Sequence, residues 1–318
     1  MLSYPDFKEK QIIFIESYKL KDLSFQNENL VIKEEGKISS KVSCHKIFCV
    51  FIIGNCTLTS KIIQEALEFG ISIFLLKNNF APYLTIGNET AGNYLLRKKQ
   101  YLKEDTLDIA KHLIKQKTLN QVLLLKEIRE KTDKLKKDIK QCEEIISKID
   151  EIDSDSSLLG LEGNVSKLFF SNYFEKVGWY ARLPRTKADI TNLLMDIGYT
   201  YLFNFIDALL RLYGFDEYYG VYHKLFYQRK SLVADIMEPF RCVIDKAILK
   251  AYNLGQINRM DFIFTKGQFS IKPEFIKKYT SIFLKVILEN KEDMFNFVHD
   301  YYKTFIKENN DFPTFTIK

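Results

Sequence analysis

The chain has 318 residues, 46% of them hydrophobic, with 26 Phe, 18 Tyr and only 6 Pro, enough apolar material for one large or two modest cores and too much for a disordered or loop-dominated protein. Its net charge of +6 at pH 7 is a mild basic bias that tilts toward an acidic partner such as nucleic acid without forming a polybasic tail. Cys44, Cys49, Cys56, Cys142 and Cys242 are odd in number and irregularly spaced, no signal-like segment opens the chain, and no unbroken apolar run is long enough for a bilayer, so free thiols, a cytoplasmic location and no membrane are expected.

Residues 1–88 read as a small β-rich domain. Gln11 to Ile15, Leu30 to Ile32 and Lys46 to Gly54 are β-branched runs of strand length. A helix opens near Thr59 and Ser60, with Ile62, Ile63, Ala66 and Leu67 at helical spacing, and Gly70 closes it before a strand over Ile71 to Leu76. Cys44 and His45 are adjacent in a strand-like run and would point to opposite faces, so no metal is expected there.

Residues 89–318 read as a larger all-helical domain, giving an α+β chain overall. From Leu95 to Ile149 almost no Gly or Pro occurs, and Leu135, Ile139, Cys142 and Ile146 share one helical face. The charges from Lys131 to Lys140 fit a solvated face, and Arg97, Lys98 and Lys99 form a second basic cluster beside Tyr94 and Tyr101. Helical spacing then continues, with breaks at Arg182 to Lys187, Gly214 to Gly220, Gly255 and Gly267.

Four residues stand out for chemistry. Glu162 interrupts the apolar face made by Leu158, Val165, Phe169 and Tyr173; it is either a paired or metal-bound core carboxylate or a first-turn glutamate serving the helix dipole, and Gly163 beside it would allow close backbone approach. His223 follows an aromatic-rich loop and is either a hydrogen-bonded core histidine or a ligand. Asp235 and Glu238 are three apart and share a face if the helix runs on through Pro239; otherwise a helix starts at the proline. Arg241 and Asp245 are spaced for an i, i+4 ion pair. Arg182, Arg185 and Lys187 make a positive loop suited to phosphates. Spacing alone does not establish that these segments meet.

Taken in order, Leu161-Glu162-Gly163-Asn164, Arg182-Leu183-Pro184-Arg185, Asn192-Leu193-Leu194, Gly214-Phe215-Asp216, Gly220-Val221-Tyr222-His223 and Asp235-Ile236-Met237-Glu238-Pro239-Phe240-Arg241 resemble the CRISPR-associated integrase family, the enzymes that insert new spacers into CRISPR arrays. The resemblance extends to Ile53-Gly54-Asn55-Cys56 and Gly70-Ile71-Ser72-Ile73-Phe74 in the first domain. It implies an endonuclease and integrase acting on double-stranded DNA by attack of a 3′-hydroxyl on a phosphodiester. It also implies Mg²⁺ or Mn²⁺ held by Glu162, His223 and Glu238 with Asp235 adjacent, a homodimer joined through the N-terminal domain, and a small dimeric second CRISPR adaptation protein as partner. Glu238 stands where many members carry aspartate, and Asp216-Glu217 replaces a common Asp-Pro. Two other readings share these residues: a metal-dependent DNA nuclease without integration, and a non-catalytic DNA-binding scaffold. With no nucleophile motif or glycine-rich phosphate loop, a small-molecule hydrolase is disfavoured.

Overall fold

The computed structural model describes residues 2–16, 21–87, 93–104, 106–223, 228–307 and 311–318. Helix α1 (Tyr4–Lys8) precedes strands β1 (Gln11–Glu16), β2 (Lys21–Gln26), β3 (Asn29–Glu34), β4 (Lys37–Ser43) and β5 (Ile47–Ile53). Helix α2 (Ser60–Glu68), capped by the Thr59 hydroxyl on the Ile62 N–H, leads to β6 (Ser72–Leu76) and β7 (Pro82–Ile86). One sheet has the order β1-β5-β6-β7, with parallel pairs except β6-β7; β2-β3-β4 is a separate antiparallel meander. The meander turns at Asn27-Glu28 and Glu35-Gly36, where both residues of each pair have positive φ, the two-residue geometry that matches strand twist.

All seven residues of β5 are buried, because the sheet is covered on both faces. Cys49, Phe51 and Ile53 join a core with Phe74, Tyr201 and Phe205, while Val50 and Ile52 alternate into a second core with Ile62 and Ala66 of α2. The first core therefore runs from the sheet into the helices, with the Phe51 and Tyr201 rings 5.0 Å apart. The expected boundary at residues 88 and 89 lies outside the described residues.

The second part is mostly helical. It holds α3 (Tyr94–Tyr101), α4 (Thr106–Glu127), α5 (Asp133–Ile146), α6 (Asp155–Tyr173), α7 (Ile190–Tyr213), α8 (Ser231–Met237), α9 (Arg241–Asn253), α10 (Ile276–Glu289) and α11 (Lys291–Lys307). The long charged stretch breaks between α4 and α5, where Thr132 caps the Leu135 N–H at 3.1 Å. Helix α7 is the centre of this part. Among the described residues it is the one helix long and apolar enough to cross a membrane, yet 83% of its most apolar window is buried inside the protein. Asn192, Asp196 and Asn204 interrupt its apolar runs, so counting unbroken runs did not single it out.

An interruption of the helices falls outside the all-helical expectation for residues 89–318. Strands β8 (Phe262–Thr265) and β9 (Gln268–Ile271) form a hairpin through Lys266 and Gly267, again both at positive φ. All five cysteines are free. Cys44 opens a short 3₁₀ turn, not a strand; it is buried, while His45 is exposed and pairs with Glu28 at 3.0 Å.

Candidate active site

Glu162 sits on α6, whose first turn Ser154 caps by accepting the Ser157 N–H. Leu158, Val165, Phe169 and Tyr173 on the same face are buried, and Glu162 is half-buried among them, in the interior reading and past the first turn. One of its oxygens accepts from the Lys117 ammonium and the other from the Tyr222 hydroxyl. Gly163 does not serve a close approach: a Cβ there would meet nothing within 4 Å.

Asp235 is fully buried and organises the loop that carries His223. Its Oδ2 accepts the N–H groups of Val221 at 2.6 Å and Tyr222 at 3.1 Å. Its Oδ1 accepts the His223 N–H at 2.9 Å and lies 2.6 Å from His223 Nδ1. A carboxylate can only accept, so Nδ1 carries the proton and the Nε2 lone pair is directed to the far side of the ring. That side faces Glu238, whose Oε1 lies 3.9 Å from Nε2. The loop approaches this closely because Gly220 has no side chain. A Cβ there would stand 2.6 Å from Asp235 Oδ2 and 2.8 Å from the Ser231 carbonyl carbon.

Glu238 follows α8 in a 3₁₀ turn over Glu238–Phe240 that runs straight into α9. The chain thus continues through Pro239, which sits near the start of the turn where its missing N–H costs nothing. Asp235 and Glu238 stay on one face. The Pro239 carbonyl accepts from Asn120 Nδ2 at 3.1 Å, and Asn120 also holds Phe315 and Ile317 along α4, donating to the Phe315 carbonyl at 3.1 Å and accepting the Ile317 N–H at 3.0 Å.

Around Glu238 the charges are dense. Arg241 reaches its Oε1 at 3.0 Å, and Lys117 of α4 reaches its Oε2 at 2.7 Å. Burial alone would raise the Glu238 carboxyl, but Arg241 and Lys117 outweigh it and hold the group at about 2. Burial pulls Lys117 down, and Glu238 and Glu162 more than reverse this, leaving the ammonium above its ordinary value. The sequence-based Arg241–Asp245 pair does not form, because Glu238 competes for the guanidinium within the same turn of chain. Asp245 instead accepts from the Tyr199 hydroxyl at 2.6 Å, and burial pushes its carboxyl up to about 6.

Of the positive loop, Arg182 is committed within the protein, pairing with Asp196 at 2.6 Å and donating to Asn192 at 2.9 Å. Lys187 donates to the Asn79 carbonyl at 3.0 Å, and burial lowers its ammonium. Arg185 is exposed. In the other basic cluster, Arg97 donates to the Gly214 carbonyl at 3.1 Å and Lys99 to the Ile306 carbonyl at 2.8 Å.

The three expected ligands therefore converge, but around an ammonium. Among the described residues no three His, Cys, Asp or Glu side chains stand close enough to hold a metal ion as placed. The donor set nevertheless fits one. Glu238 Oε2 is buried, and no described group meets it in hydrogen-bonding geometry, although Lys117 lies at ion-pair distance. Two carboxylates and a neutral imidazole suit a hard or borderline divalent cation.

Sequence reasoning missed Lys117, Tyr222 and Arg241 as members of the site. Lys117 was detectable: it lies on the buried stripe of α4 with Leu113 and Gln121, four residues either side.

With the geometry in hand, the sequence matches the family described as CRISPR associated protein Cas1 over residues 16–285. It is 29% identical over 241 residues to a CRISPR-associated endonuclease Cas1 of Thermodesulfovibrio yellowstonii, covering 72% of this chain and 76% of the relative. A second such endonuclease, from Archaeoglobus fulgidus, is 28% identical over 272 residues, covering 76% and 78%. In fold, a CAS1 protein from Thermotoga maritima superposes with a TM-score of 0.80 at 18% identity over 97% of this chain and 99% of that one. A casposase bound to its integration product gives 0.80 at 19% identity over 95% and 92%. A chain of a Cas6-RT-Cas1–Cas2 complex gives 0.82 at 21% identity over 97% of this chain but 36% of that longer polypeptide. The match over most of its length shows that this chain belongs to the Cas1 family of CRISPR-associated proteins.

Proposed function

We propose that the chain is a metal-dependent DNA endonuclease and integrase that joins short DNA duplexes into a CRISPR array. The observation that carries this reading is the convergence of Glu162, His223 and Glu238 in a chain of the Cas1 family. In the reaction the 3′-hydroxyl of the incoming strand forms a new P–O bond as the P–O3′ bond of the repeat breaks. A divalent cation, Mg²⁺ or Mn²⁺, supplies Lewis-acid polarisation of the scissile phosphate when bound. Glu162 and Glu238 would hold it as anionic ligands and His223 as the neutral one. Asp235 does not touch substrate; it fixes the His223 tautomer and the loop backbone. Arg185 is the exposed cation of the positive loop available to a DNA phosphate, and Arg182 holds that loop in place through Asp196.

The partner in this reading is the second CRISPR adaptation protein, supported by the occurrence of structurally similar chains in complexes with Cas2. The N-terminal part is its homodimer surface, supported by the apolar side chains of Ile38, Tyr83 and Leu84, all at least 49% exposed on strands β4 and β7.

The decisive experiment supplies the protein with its partner, a duplex bearing free 3′ ends, a repeat-bearing plasmid and Mg²⁺ or Mn²⁺. Covalent joining is expected, and Glu162→Ala or His223→Ala should abolish it while the fold remains. Cleavage without joining would support the nuclease reading, which the names of the endonuclease relatives favour as the alternative. Metal-independent binding with no product would leave only a scaffold.

A further inference from the structure

We propose that Lys117 is a resident stand-in for the divalent cation. Its ammonium holds Glu162 and Glu238 in place when no ion is bound, and it must leave before an ion can take their shared oxygens. The inference rests on the reading of this site as a metal centre.

The pattern of contacts is that of a bridging cation. Lys117 takes one oxygen from each carboxylate, Oε1 of Glu162 and Oε2 of Glu238. The other oxygens are held elsewhere, Glu162 Oε2 by the Tyr222 hydroxyl and Glu238 Oε1 by Arg241 at 3.0 Å. Each carboxylate is therefore fixed by one oxygen and offers its second toward the same point. A lysine side chain only 8% exposed is costly to bury unless paired, and Glu162 and Glu238 are the anions that pair with it.

Charge balance points the same way. Glu162, Glu238 and Asp235 face Lys117 and Arg241 here, so three negative groups meet two positive ones. Removing the ammonium leaves the Glu162 and Glu238 carboxylates aimed at each other with three negative groups against one positive, a deficit that one divalent ion fills. The Lys117 ammonium lies 2.7 Å from Glu238 Oε2, at ion-pair distance inside the site. Lysine also suits the role chemically, being a compact charge on a flexible stem.

The test measures Mn²⁺ binding to the DNA-free full chain by the EPR signal of free Mn²⁺, together with urea unfolding without metal. Lys117→Met should bind Mn²⁺ at least ~10-fold more tightly, since a like charge within a few ångströms of the ion is gone. The same variant should be less stable than wild type without metal and recover more stability on adding Mn²⁺. Lys115→Met, which removes a more exposed ammonium of the same helix α4 that pairs with Asp150, should change the affinity less than about twofold. Equal or weaker Mn²⁺ binding by folded Lys117→Met would overturn the stand-in role and leave the metal centre intact. No Mn²⁺ uptake by either wild type or Lys117→Met would instead remove the metal centre, and this inference with it. Should Lys117→Met not fold, ¹⁵N-lysine NMR of the wild-type chain decides. The Lys117 Nζ signal should shift on saturation with Mg²⁺, and an unmoved signal refutes the displacement.

Discussion

Replacing Asp235 by Asn tests the organisation of the site most sharply. The carboxylate faces four donors, two on each oxygen: Val221 and Tyr222 N–H on Oδ2, His223 N–H and Nδ1 on Oδ1. Asparagine keeps the shape but has one oxygen and one NH₂. In one orientation the NH₂ confronts the Val221 and Tyr222 N–H groups and releases the loop. In the other it confronts His223, which must then move its proton to Nε2, and the lone pair directed at Glu238 is lost. Either way two charge-assisted bonds, worth about 1.5–3 kcal/mol each, disappear. Asp235 is 0% exposed, so no water replaces them, and a loss of about 3–5 kcal/mol is expected. Urea unfolding at pH 7 measures it. Strand-transfer rate should fall by roughly 100-fold or more, as expected when a reacting group is misplaced by about 1 Å. A variant within about 1 kcal/mol of wild type and within about threefold in rate would refute the claim that Asp235 sets the His223 loop.

Two glycines in the site's motifs should respond oppositely to alanine. At Gly220 the new methyl would meet Asp235 and the Ser231 backbone at 2.6–2.8 Å, so a loss of about 1–3 kcal/mol in urea unfolding is expected, with reduced strand transfer; at Gly163 it meets nothing, and removing a mid-helix glycine should stabilise by up to about 1 kcal/mol. Asp245→Asn probes the diverted arginine. Burial pushes the carboxyl up to about 6 in the folded protein, against an ordinary value of 3.8, so the native state binds the extra proton between these values. Stability should therefore decline as pH rises from about 4 to 6, and Asp245→Asn should remove that decline, gaining about 3 kcal/mol over wild type between pH 4 and 7. Parallel unfolding curves for both proteins across that range would contradict the assignment.

The β-rich first part and the helical second part were legible because periodicity carries them: β5 is an unbroken apolar run, and α6 shows its apolar face at Leu158, Val165, Phe169 and Tyr173. The hairpin over 262–271 was not. Its four-residue strands are too short to show alternation, and Gly267 read as a break between helices. The separate site segments and their resemblance to one family were also visible in the sequence. What joins them was not: Lys117 lies in a lysine-rich stretch where most ammonium groups reach solvent, and only its register with Leu113 and Gln121 marks it as interior. The Arg241–Asp245 pairing failed for a related reason. Helical spacing gives the partners within reach, and the tertiary charge of Glu238 chooses among them.

The clasp by Asn120 has a consequence for the order in which the site's supports are made. The turn bearing Glu238 is braced through Pro239 by a side chain that is itself engaged by Phe315 and Ile317. On the ribosome those residues emerge long after residue 238, so a nascent chain short of them carries every proposed ligand without the brace. The last contacts that steady this turn are thus supplied by residues translated well after the turn itself.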